Sequence, residues 1–571
     1  MFPASQQASQ QPFKRSSYRG SKTAILLTDI FPKHSLGRFR SPLGLHPVAS
    51  RRTTFATRMD DSTLAKTTPP PTERDWYKNE MALVKLSADG KTFLPENYWS
   101  LNDAFQGVQI LGGTGSGKSS GSGQAIARAF LKANLGGLVL TAKTDEVFAW
   151  KKYAKATGRL DDLLIIDAEA NHCFNFLSYE LHRPGAGAGH TENLVNLFCS
   201  ILETSERRHG QGSGGDAYWQ RTLKQLLRNA IDLAVIAADD LDLPSLYRII
   251  NSAPRTLAEA ADPAWQDKSV CHGLIAVAEE KAKKKDRESD FDLTRDYWLR
   301  EFPSLAEETR SVIVSTFTSM ADCFLRGMLR KLFCTTLDFK PEDTFDGKII
   351  ILNLPVKEHN ELGQFAQVLF KYVWQRAVER RIPPLITPED AQETIRPVFL
   401  WADESQFFAN SYDALFQSTA RSSRACTVYL TQNLPSYFAA FGGANSRSEV
   451  EAFIGNLQTK IFHANGDPTT NNWAADSVGK TRQMRYSGNL SEQLSRGQGS
   501  GGLNQTAGGS EIVEFLIQPQ EFTMLRTGGE ENEMQVDGIV FQGGRRWMLP
   551  GKEPRKVQNH IRHVFPQLYQ P

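Results

Sequence analysis

A glycine-rich stretch between a short apolar run and a helical pattern constrains this chain more than any other feature. Residues 108–111 have the composition of a buried strand, and apolar residues recur at helical spacing from 120 to 133. The stretch between them has the form G-x-x-x-x-G-K-[ST]. With the next serine it reads Gly112, Gly113, Thr114, Gly115, Ser116, Gly117, Lys118, Ser119 and Ser120. Because backbone N–H groups at a helix N-terminus attract anions, the sequence predicts a phosphate-binding loop in an α/β fold.

The loop predicts ATP and Mg²⁺ as ligands. Its glycines allow backbone N–H groups to turn inward around phosphates. Lys118 would place a positive charge on the β- and γ-phosphates, and the Ser119 hydroxyl would reach Mg²⁺. We therefore assign residues 112–120 to nucleotide binding, Lys118 also to catalysis and Ser119 also to the metal.

Length and composition limit the classes of protein to consider. The 571 residues suffice for two or three domains. A net charge of +2 excludes a basic nucleic-acid coat, so any contact with DNA must come from a local patch or a pore. Six scattered cysteines without a C-x-x-C pair favour a reducing compartment. No apolar run approaches the roughly 18 residues of a membrane span, so we expect no transmembrane segment and a cytoplasmic location, with at most peripheral attachment to the inner membrane face.

The first ninety residues differ in composition from the rest. Residues 1–60 contain ten Lys or Arg and two acids, and three prolines follow at 69–71. This composition predicts a basic, disordered arm over residues 1–90. Two alternatives stay open: an organellar transit peptide, which is also rich in Arg and Ser, and a start codon placed too early, with Met59 or Met81 as the true first residue.

Short apolar runs separated by helical patterns predict a mainly parallel sheet. After the loop, these runs lie at residues 137–141, 162–167, 348–353, 398–402, 427–431 and 460–463. From 184 to 340 the pattern is helical instead, with apolar residues three or four positions apart. The predicted fold class is therefore α/β with a mainly parallel sheet and an inserted all-α domain.

The predicted domains follow from these patterns. They are the first half of a nucleotide-binding core at 91–183, the all-α insertion at 184–340, the second half of the core at 341–550 and a C-terminal tail at 551–571. Within the second half, the Gly-, Ser- and Gln-rich residues 485–510 predict a flexible loop. Residues 534–541 and 545–549 look like a closing hairpin.

A phosphate-binding loop needs a carboxylate partner, and residues 398–404 supply one. An apolar strand ends there in Asp403 and Glu404, at the carboxyl end, where a parallel sheet places its ligands. Asp403 would hold Mg²⁺ through water. Glu404 would polarise the water that attacks the γ-phosphate.

Two further candidates flank the next strand. Gln432 follows its last residue and would contact the γ-phosphate or the attacking water; the alternative is a glutamine that closes the strand onto its loop. Arg421 precedes the strand and would supply the extra positive charge that phosphoryl transfer needs, often from a neighbouring subunit. The alternative for Arg421 is a surface salt bridge. No cluster of metal-ligand type stands out, and we interpret His463 as structural.

In this order the motifs resemble the coupling ATPases of type IV secretion and conjugation, the TraG/TraD group within the FtsK/HerA class of hexameric DNA motors. The resemblance covers about residues 100–550. Besides the loop and the all-α insertion, it rests on residues 143–145, 399–404, 429–436, 454–461 and 518–528. It implies a RecA-like motor core in a homo-hexameric ring, with Arg421 matching an arginine eleven residues before the strand glutamine. Typical members carry two N-terminal transmembrane helices, which this sequence does not show, so three alternatives stay open: a soluble variant, a separate membrane partner, or a relative used outside conjugation.

The resemblance implies an ATP-hydrolysing motor that recruits DNA or nucleoprotein and moves it to a secretion channel. Its partners would be DNA gripped in the ring pore without sequence preference, relaxosome or effector proteins, and secretion channel subunits. Two alternatives remain open at this point. One is a nucleotide-gated docking module for secreted proteins, and the other is a HerA-like DNA-processing translocase that works with a nuclease.

Overall fold

A nine-stranded sheet forms the centre of the molecule. The computed structural model describes residues 78–185, 187–208, 217–284, 286–383, 386–492, 503–551 and 556–567. The strands in these residues are β1 Ala82–Lys85, β2 Tyr98–Ser100, β3 Val108–Leu111, β4 Gly136–Leu140, β5 Leu163–Asp167, β6 Ile349–Asn353, β7 Val398–Ala402, β8 Ala425–Thr431, β9 Thr459–Phe462, β10 Lys480–Glu492, β11 Leu503–Phe515, β12 Gln535–Gln542, β13 Trp547–Met548, β14 Val557–Gln558 and β15 His560–Pro566.

The central sheet has the order β15-β12-β9-β3-β8-β7-β4-β6-β5. All strands from β9 to β5 are parallel to one another. At the other end, β12 is antiparallel to both of its neighbours, β9 and β15. The predicted α/β class with a mainly parallel sheet is confirmed.

Helices cover both faces of this sheet and fill the interval between β5 and β6. In the described residues they are α1 Leu101–Ala104, α2 Gln124–Lys132, α3 Asp145–Ala156, α4 Phe176–His182, α5 Thr191–Arg208, α6 Ala217–Ala238, α7 Leu243–Asn251, α8 Leu257–Ala261, α9 Pro263–Lys268, α10 Val270–Lys284, α11 Glu288–Asp296, α12 Phe302–Ser304, α13 Glu307–Phe324, α14 Gly327–Phe333, α15 Val356–Arg380, α16 Pro388–Thr394, α17 Ser411–Ala420, α18 Leu434–Phe441, α19 Ser446–Gly455 and α20 Pro468–Val478.

The parallel strands are buried on both faces, which explains why they read as continuous apolar runs. Side chains of β7 alternate between the faces. Phe399 packs on Phe130 of α2 and Trp150 of α3, with ring centroids 5.4 and 5.6 Å apart, and Trp401 meets the same Trp150. Leu400 belongs to the opposite face, whose apolar core continues into α15 and the helices between β5 and β6.

The described residues between β5 and β6 form helices α4 to α14 and no strand. Their core is continuous with that of the sheet. Phe176 of α4 packs against Phe198 of α5 and Phe324 of α13, and all three belong to the apolar cluster that contains β7 residues. The inserted helical part of the predicted fold class is therefore confirmed, and its helices are packed onto the sheet rather than separated from it.

The structure differs from the predicted flexible loop at 485–510. Strands β10 and β11 pair antiparallel in a two-stranded ribbon, from Lys480 opposite Phe515 to Glu492 opposite Leu503. The prediction is therefore wrong for residues 485–492 and 503–510, whereas 493–502 lie outside the described residues. Small and polar residues are compatible with such a ribbon because an antiparallel pair can face water.

The predicted closing hairpin of 534–541 with 545–549 is also wrong. Strand β12 pairs with β9 and β15, whereas β13 pairs with β14. Asn97 holds Met548 by two hydrogen bonds, donating from Nδ2 to the carbonyl (2.7 Å) and accepting the backbone N–H at Oδ1 (3.0 Å). These contacts hold β13 against the segment before β2.

Two predicted boundaries need correction. The tail at 551–571 contains β15, which joins the central sheet at its edge, and alternate residues such as Ile561 and Phe565 are buried. At the other end, β1 pairs with β2 and Leu86 is buried. The predicted arm therefore extends too far into the folded part, and residues 1–77 lie outside the described residues.

In the described part of the chain, no single helix combines the length and the apolar composition of a membrane span. Only α13 and α14 taken together meet that criterion, and they are bent by 86° relative to each other. Ile313, Phe317 and Phe333 of this pair are buried in the helical layer.

A buried ion pair connects α15 to α17. The side chains of Lys371 and Asp413 form a salt bridge, and both are fully buried. Asp413 also accepts hydrogen bonds from Gln375 (2.8 Å) and from the Tyr429 hydroxyl of β8 (2.9 Å), while Lys371 donates to the Phe408 carbonyl (2.7 Å). Burial lowers the pKa of Lys371, and the charge of Asp413 opposes this shift.

Replacing Lys371 with methionine should therefore destabilise the protein strongly. The Lys371→Met variant leaves Asp413 buried without its cation, and we expect it to lose about 3–5 kcal/mol of unfolding free energy in urea titrations. The control is Arg447→Met, which breaks an exposed pair with Glu451 and should cost less than about 1 kcal/mol. Equal effects of the two substitutions would contradict a structural role for the buried pair.

Candidate nucleotide-binding site

The loop after β3 has a backbone that requires glycine. Gly115 and Gly117 have φ values of +75° and +80°, in the left-handed region. A Cβ at Gly117 would also lie 2.5 Å from Val536 of β12. Neighbouring strands anchor the loop: Gly112 N–H donates to the Thr431 carbonyl at the end of β8. The loop is therefore tightly packed and anchored up to the point where the helical turn at Ser119–Gly123 begins.

The loop residues fit a phosphate chain. Lys118 is only 7% exposed, and Ser116 is 2% exposed with its hydroxyl lacking any hydrogen-bond partner among the described residues. A buried hydroxyl without a partner is costly, and an anion held by the surrounding backbone N–H groups would satisfy it. Ser119 and the residues after it begin the helical segment, so the helix N-terminus faces the same point.

Asp403 lies beside the loop, as predicted. Its Oδ2 accepts a hydrogen bond from the Ser119 hydroxyl (2.6 Å), and its Oδ1 accepts one from the Glu404 N–H (2.9 Å). A hydroxyl and a carboxylate oxygen at this spacing suit Mg²⁺, which prefers oxygen ligands and retains several waters. The described residues contain no cluster of three or more His, Cys, Asp or Glu that could hold a metal ion without the help of other ligands.

Glu404 lies at the centre of a group of polar side chains. It is 3% exposed and has φ +48°, a left-handed conformation unusual for a non-glycine residue. Its Oε1 lies 3.6 Å from Lys118 Nζ and 3.0 Å from Lys143 Nζ. Gln406 donates to it at 3.1 Å and Gln432 at 3.3 Å. The carboxylate therefore lies beside the loop, within reach of the ammonium groups of Lys118 and Lys143.

Burial alone would raise the pKa of Glu404. The charge of Lys118, the hydrogen bond from Gln406 and the ion pair with Lys143 outweigh burial and lower the pKa to about 2. Glu404 is therefore ionised at physiological pH.

Lys143 and Glu146 are site residues that we did not predict as such. Lys143 follows β4, the strand adjacent to β7, and its ammonium group donates a hydrogen bond to Glu404. Glu146 accepts the backbone N–H groups of Ala142 (3.3 Å) and Lys143 (3.1 Å). Burial raises the pKa of Glu146 well above its usual value, and the negative charge of Asp403 raises it further. The sequence signal for both residues was a pair of charged side chains shortly after a buried strand. This signal becomes informative only once that strand, β4, is known to lie next to β7.

Arg421 does not join the other predicted residues within one chain. It is exposed and precedes β8, whereas Gln432 follows the same strand. Seven residues at about 3.3 Å each separate the two ends of β8 by roughly 20 Å. Arg421 therefore lies toward the amino ends of the parallel strands, whereas the loop follows the carboxyl end of β3.

The predicted residues thus divide into two groups. Lys118, Ser119, Asp403, Glu404 and Gln432 meet at the carboxyl ends of adjacent strands. Ser120 lies next to them, and its hydroxyl accepts a hydrogen bond from Gln567 (2.7 Å). Arg421 is the predicted residue that stays apart.

The profile of the type IV secretory system conjugative DNA transfer family matches residues 71–386, more than half of the chain. The chain belongs to this family. A second profile, described as the TraM recognition site of TraD and TraG, matches residues 397–526. These matches confirm the predicted likeness to the TraG/TraD group. Among curated proteins, none matches this sequence.

Solved structures show the same fold. The bacterial conjugative coupling protein TrwBdeltaN70 in its unbound form is 14% identical with a TM-score of 0.53, and the alignment covers 87% of this chain and 92% of that one. TrwB in complex with a non-hydrolysable GTP analogue gives 14% identity, a TM-score of 0.51 and coverage of 87% and 93%. TrwB in complex with ADP and Mg²⁺ gives 14% identity, a TM-score of 0.50 and coverage of 85% and 89%.

His463 supports the loop in this family member. It follows β9, and its Nδ1 faces the Asp537 carbonyl at 2.8 Å, so Nδ1 carries the proton and donates it. Nε2 therefore accepts from the Ser122 hydroxyl at 2.7 Å. Burial lowers the pKa of His463 to about 4; the hydrogen bond to Asp537 opposes this shift, and the charge of Lys118 adds to it.

The pKa of His463 predicts a pH-dependent stability. The unfolded imidazole takes up a proton near its usual pKa of 6.5, whereas the folded one does so only near 4. Stability is therefore present above pH 6.5 and is lost as the pH falls toward 4, by at most about 1.4 kcal/mol per pH unit. His463→Gln should make this decline shallower in urea unfolding between pH 7.5 and 4.5.

Other buried histidines, such as His563, also have a lowered pKa, so part of the decline should remain. The control is His182→Gln, because His182 is exposed. An unchanged slope in His463→Gln would show that the imidazole does not stay neutral beside the loop.

Proposed function

We propose that this protein is an ATP-hydrolysing coupling motor that recruits DNA or nucleoprotein and moves it to a type IV secretion channel. The observation that carries the proposal is the Ser119–Asp403 pair beside Glu404, Lys118 and Gln432, in a chain of the conjugative DNA transfer family. The structures of TrwB with a GTP analogue and with ADP and Mg²⁺ support nucleotide binding at this fold.

Hydrolysis would use residues that already lie together. Ser119 and Asp403 would hold Mg²⁺, which would neutralise charge on the phosphate oxygens. The Lys118 ammonium lies 3.6 Å from the Glu404 carboxylate. On nucleotide binding it would move from Glu404 to the phosphates held by the same loop. Glu404 would then lose one of the cations that lower its pKa, and it would become a stronger base for the attacking water. Gln432, at 3.3 Å from Glu404, would orient that water.

The motor would work as a homo-hexameric ring. Each site would be completed by Arg421 of a neighbouring subunit, because Arg421 cannot reach the loop of its own chain. DNA would pass through the pore, held by contacts to its backbone. Relaxosome or effector proteins would dock on the ring, in line with the TraM recognition profile over 397–526, and channel subunits at the inner membrane face would receive the cargo.

The TraM recognition profile also favours a second candidate, a nucleotide-gated docking module that does not pump DNA. ATPase activity that rises with DNA and falls with salt would support the motor. Activity that ignores DNA but responds to a relaxosome protein would support the docking module.

Substitutions at two residues test the hydrolytic site. Lys118→Ala should weaken ATP binding and abolish turnover, because the phosphates lose their nearest cation. Glu404→Gln keeps the shape of the side chain and should bind ATP, yet hydrolyse it at least about 100-fold more slowly. Phosphate release and isothermal calorimetry measure these effects. Glu451→Gln, at an exposed position, is the control. Wild-type turnover in both site variants would overturn the assignment.

Mixing variants tests the ring. ATPase activity per subunit should rise steeply with protein concentration, and more so with DNA. Arg421→Ala should bind nucleotide without turnover, and mixing it with Lys118→Ala should restore part of the activity. An interface in the mixture can combine an intact Lys118 with an intact Arg421 from another chain. With subunit exchange confirmed by fluorescence, a lack of restored activity would place Arg421 outside catalysis, and full activity of a dilute monomer would exclude the ring.

A further inference from the structure

The side chain of Gln567 is held at both ends beside the phosphate-binding loop. Its Nε2 donates to the Ser120 hydroxyl at 2.7 Å, and its Oε1 accepts the Gly529 N–H at 2.7 Å. Its own backbone N–H donates to the Met534 carbonyl at 2.7 Å. A glutamine from the end of β15 thus connects the first helical turn after the loop to the segment that precedes β12.

The segment before β12 is shaped around this carboxamide. Gly528 and Gly529 have φ values of +87° and +79°. A Cβ at Gly528 would overlap the carboxamide of Gln567, so a larger residue there would displace the carboxamide from its two partners. The same segment packs on the loop, since a Cβ at Gly117 would lie 3.0 Å from the Thr527 carbonyl. The turn, Gln567 and the loop are therefore one packed unit.

The direction in which a bound triphosphate would run along the loop indicates which part of the nucleotide lies near Gln567. Asp403 and Glu404 contact Ser119 and Lys118, so they mark the end of the site that receives Mg²⁺ and the γ-phosphate. Ser120 is the next residue and contacts Gln567 instead of a carboxylate. A nucleotide with its terminal phosphate beside Glu404 would therefore extend its ribose and base toward Ser120.

We propose that Gln567 and the Gly528–Gly529 turn form the part of the site that binds the nucleoside of a ribonucleoside triphosphate. The carboxamide carries both a donor and an acceptor, and it is already oriented by its two partners. On nucleotide binding it would exchange the Ser120 hydroxyl for polar groups of the nucleoside. This inference rests on the proposed function.

The test separates the nucleoside from the phosphates. Calorimetry would measure binding of Mg-ATP and of inorganic tripolyphosphate with Mg²⁺ to the full chain. Gln567→Met keeps the length of the side chain and removes both hydrogen-bonding groups. We expect its affinity for ATP to fall about 5- to 30-fold, which corresponds to one or two hydrogen bonds. Its affinity for tripolyphosphate should stay within twofold of wild type. Gln558→Ala in β14 is the control and should change neither affinity.

Three outcomes overturn the inference. Equal losses for both ligands would show that Gln567 only supports the loop, and unchanged ATP affinity would show that it does not contact the nucleoside. A wild-type protein that binds tripolyphosphate as tightly as ATP would show that no nucleoside contact contributes. If Gln567→Met does not fold, Gln567→Ala takes its place with the same criteria. Failure of the wild-type protein to bind either ligand would instead contradict the proposed function.

Discussion

The site depends on the parallel pairing of three strands that are far apart in the chain. Backbone pairing places Leu111 of β3 beside Thr431 of β8, and Tyr429 of β8 beside Ala402 of β7. Because these strands run in one direction, the loop, Gln432 and the two acids all emerge at the same edge. The buried Asp413 of α17 accepts a hydrogen bond from the Tyr429 hydroxyl, so β8 is also held in place by a helix packed on the sheet.

Charge compensation then decides what the carboxyl groups at this edge can do. Glu404 is buried and Glu146 is half-buried, yet the two cations beside Glu404 lower its pKa to about 2, while burial and Asp403 raise that of Glu146. The ionised Glu404 thus lies beside Lys118, whereas Glu146, whose pKa is raised, accepts the backbone N–H of Lys143. Such opposite shifts are typical of functional sites. The opposite shifts support the proposal that Glu404 is the base that acts on water.

Much of the core could be predicted from the sequence because fully buried strands and amphipathic helices have distinct patterns. The runs ending at Leu111 and Ala402 are strands with the predicted bounds. The predictions that were wrong concern strands outside the parallel part of the central sheet. Residues 480–492 and 503–515 form a ribbon whose polar composition resembles that of a loop, and β15 places His563 between the buried Ile561 and Phe565, which hides its period of two. Lys143 could not be assigned because its role depends on β4 lying next to β7.

The sequence by itself determined the phosphate-binding loop, the acids after β7 and the order of strands and helices, because these features depend on local backbone geometry and on the burial of neighbouring residues. The tertiary structure alone decided which strand ends lie side by side. It placed Lys143 on Glu404, His463 on Ser122 and Gln567 on Ser120, and it separated Arg421 from the loop of its own chain. These contacts join residues hundreds of positions apart, and strand pairing and packing set them rather than any local pattern.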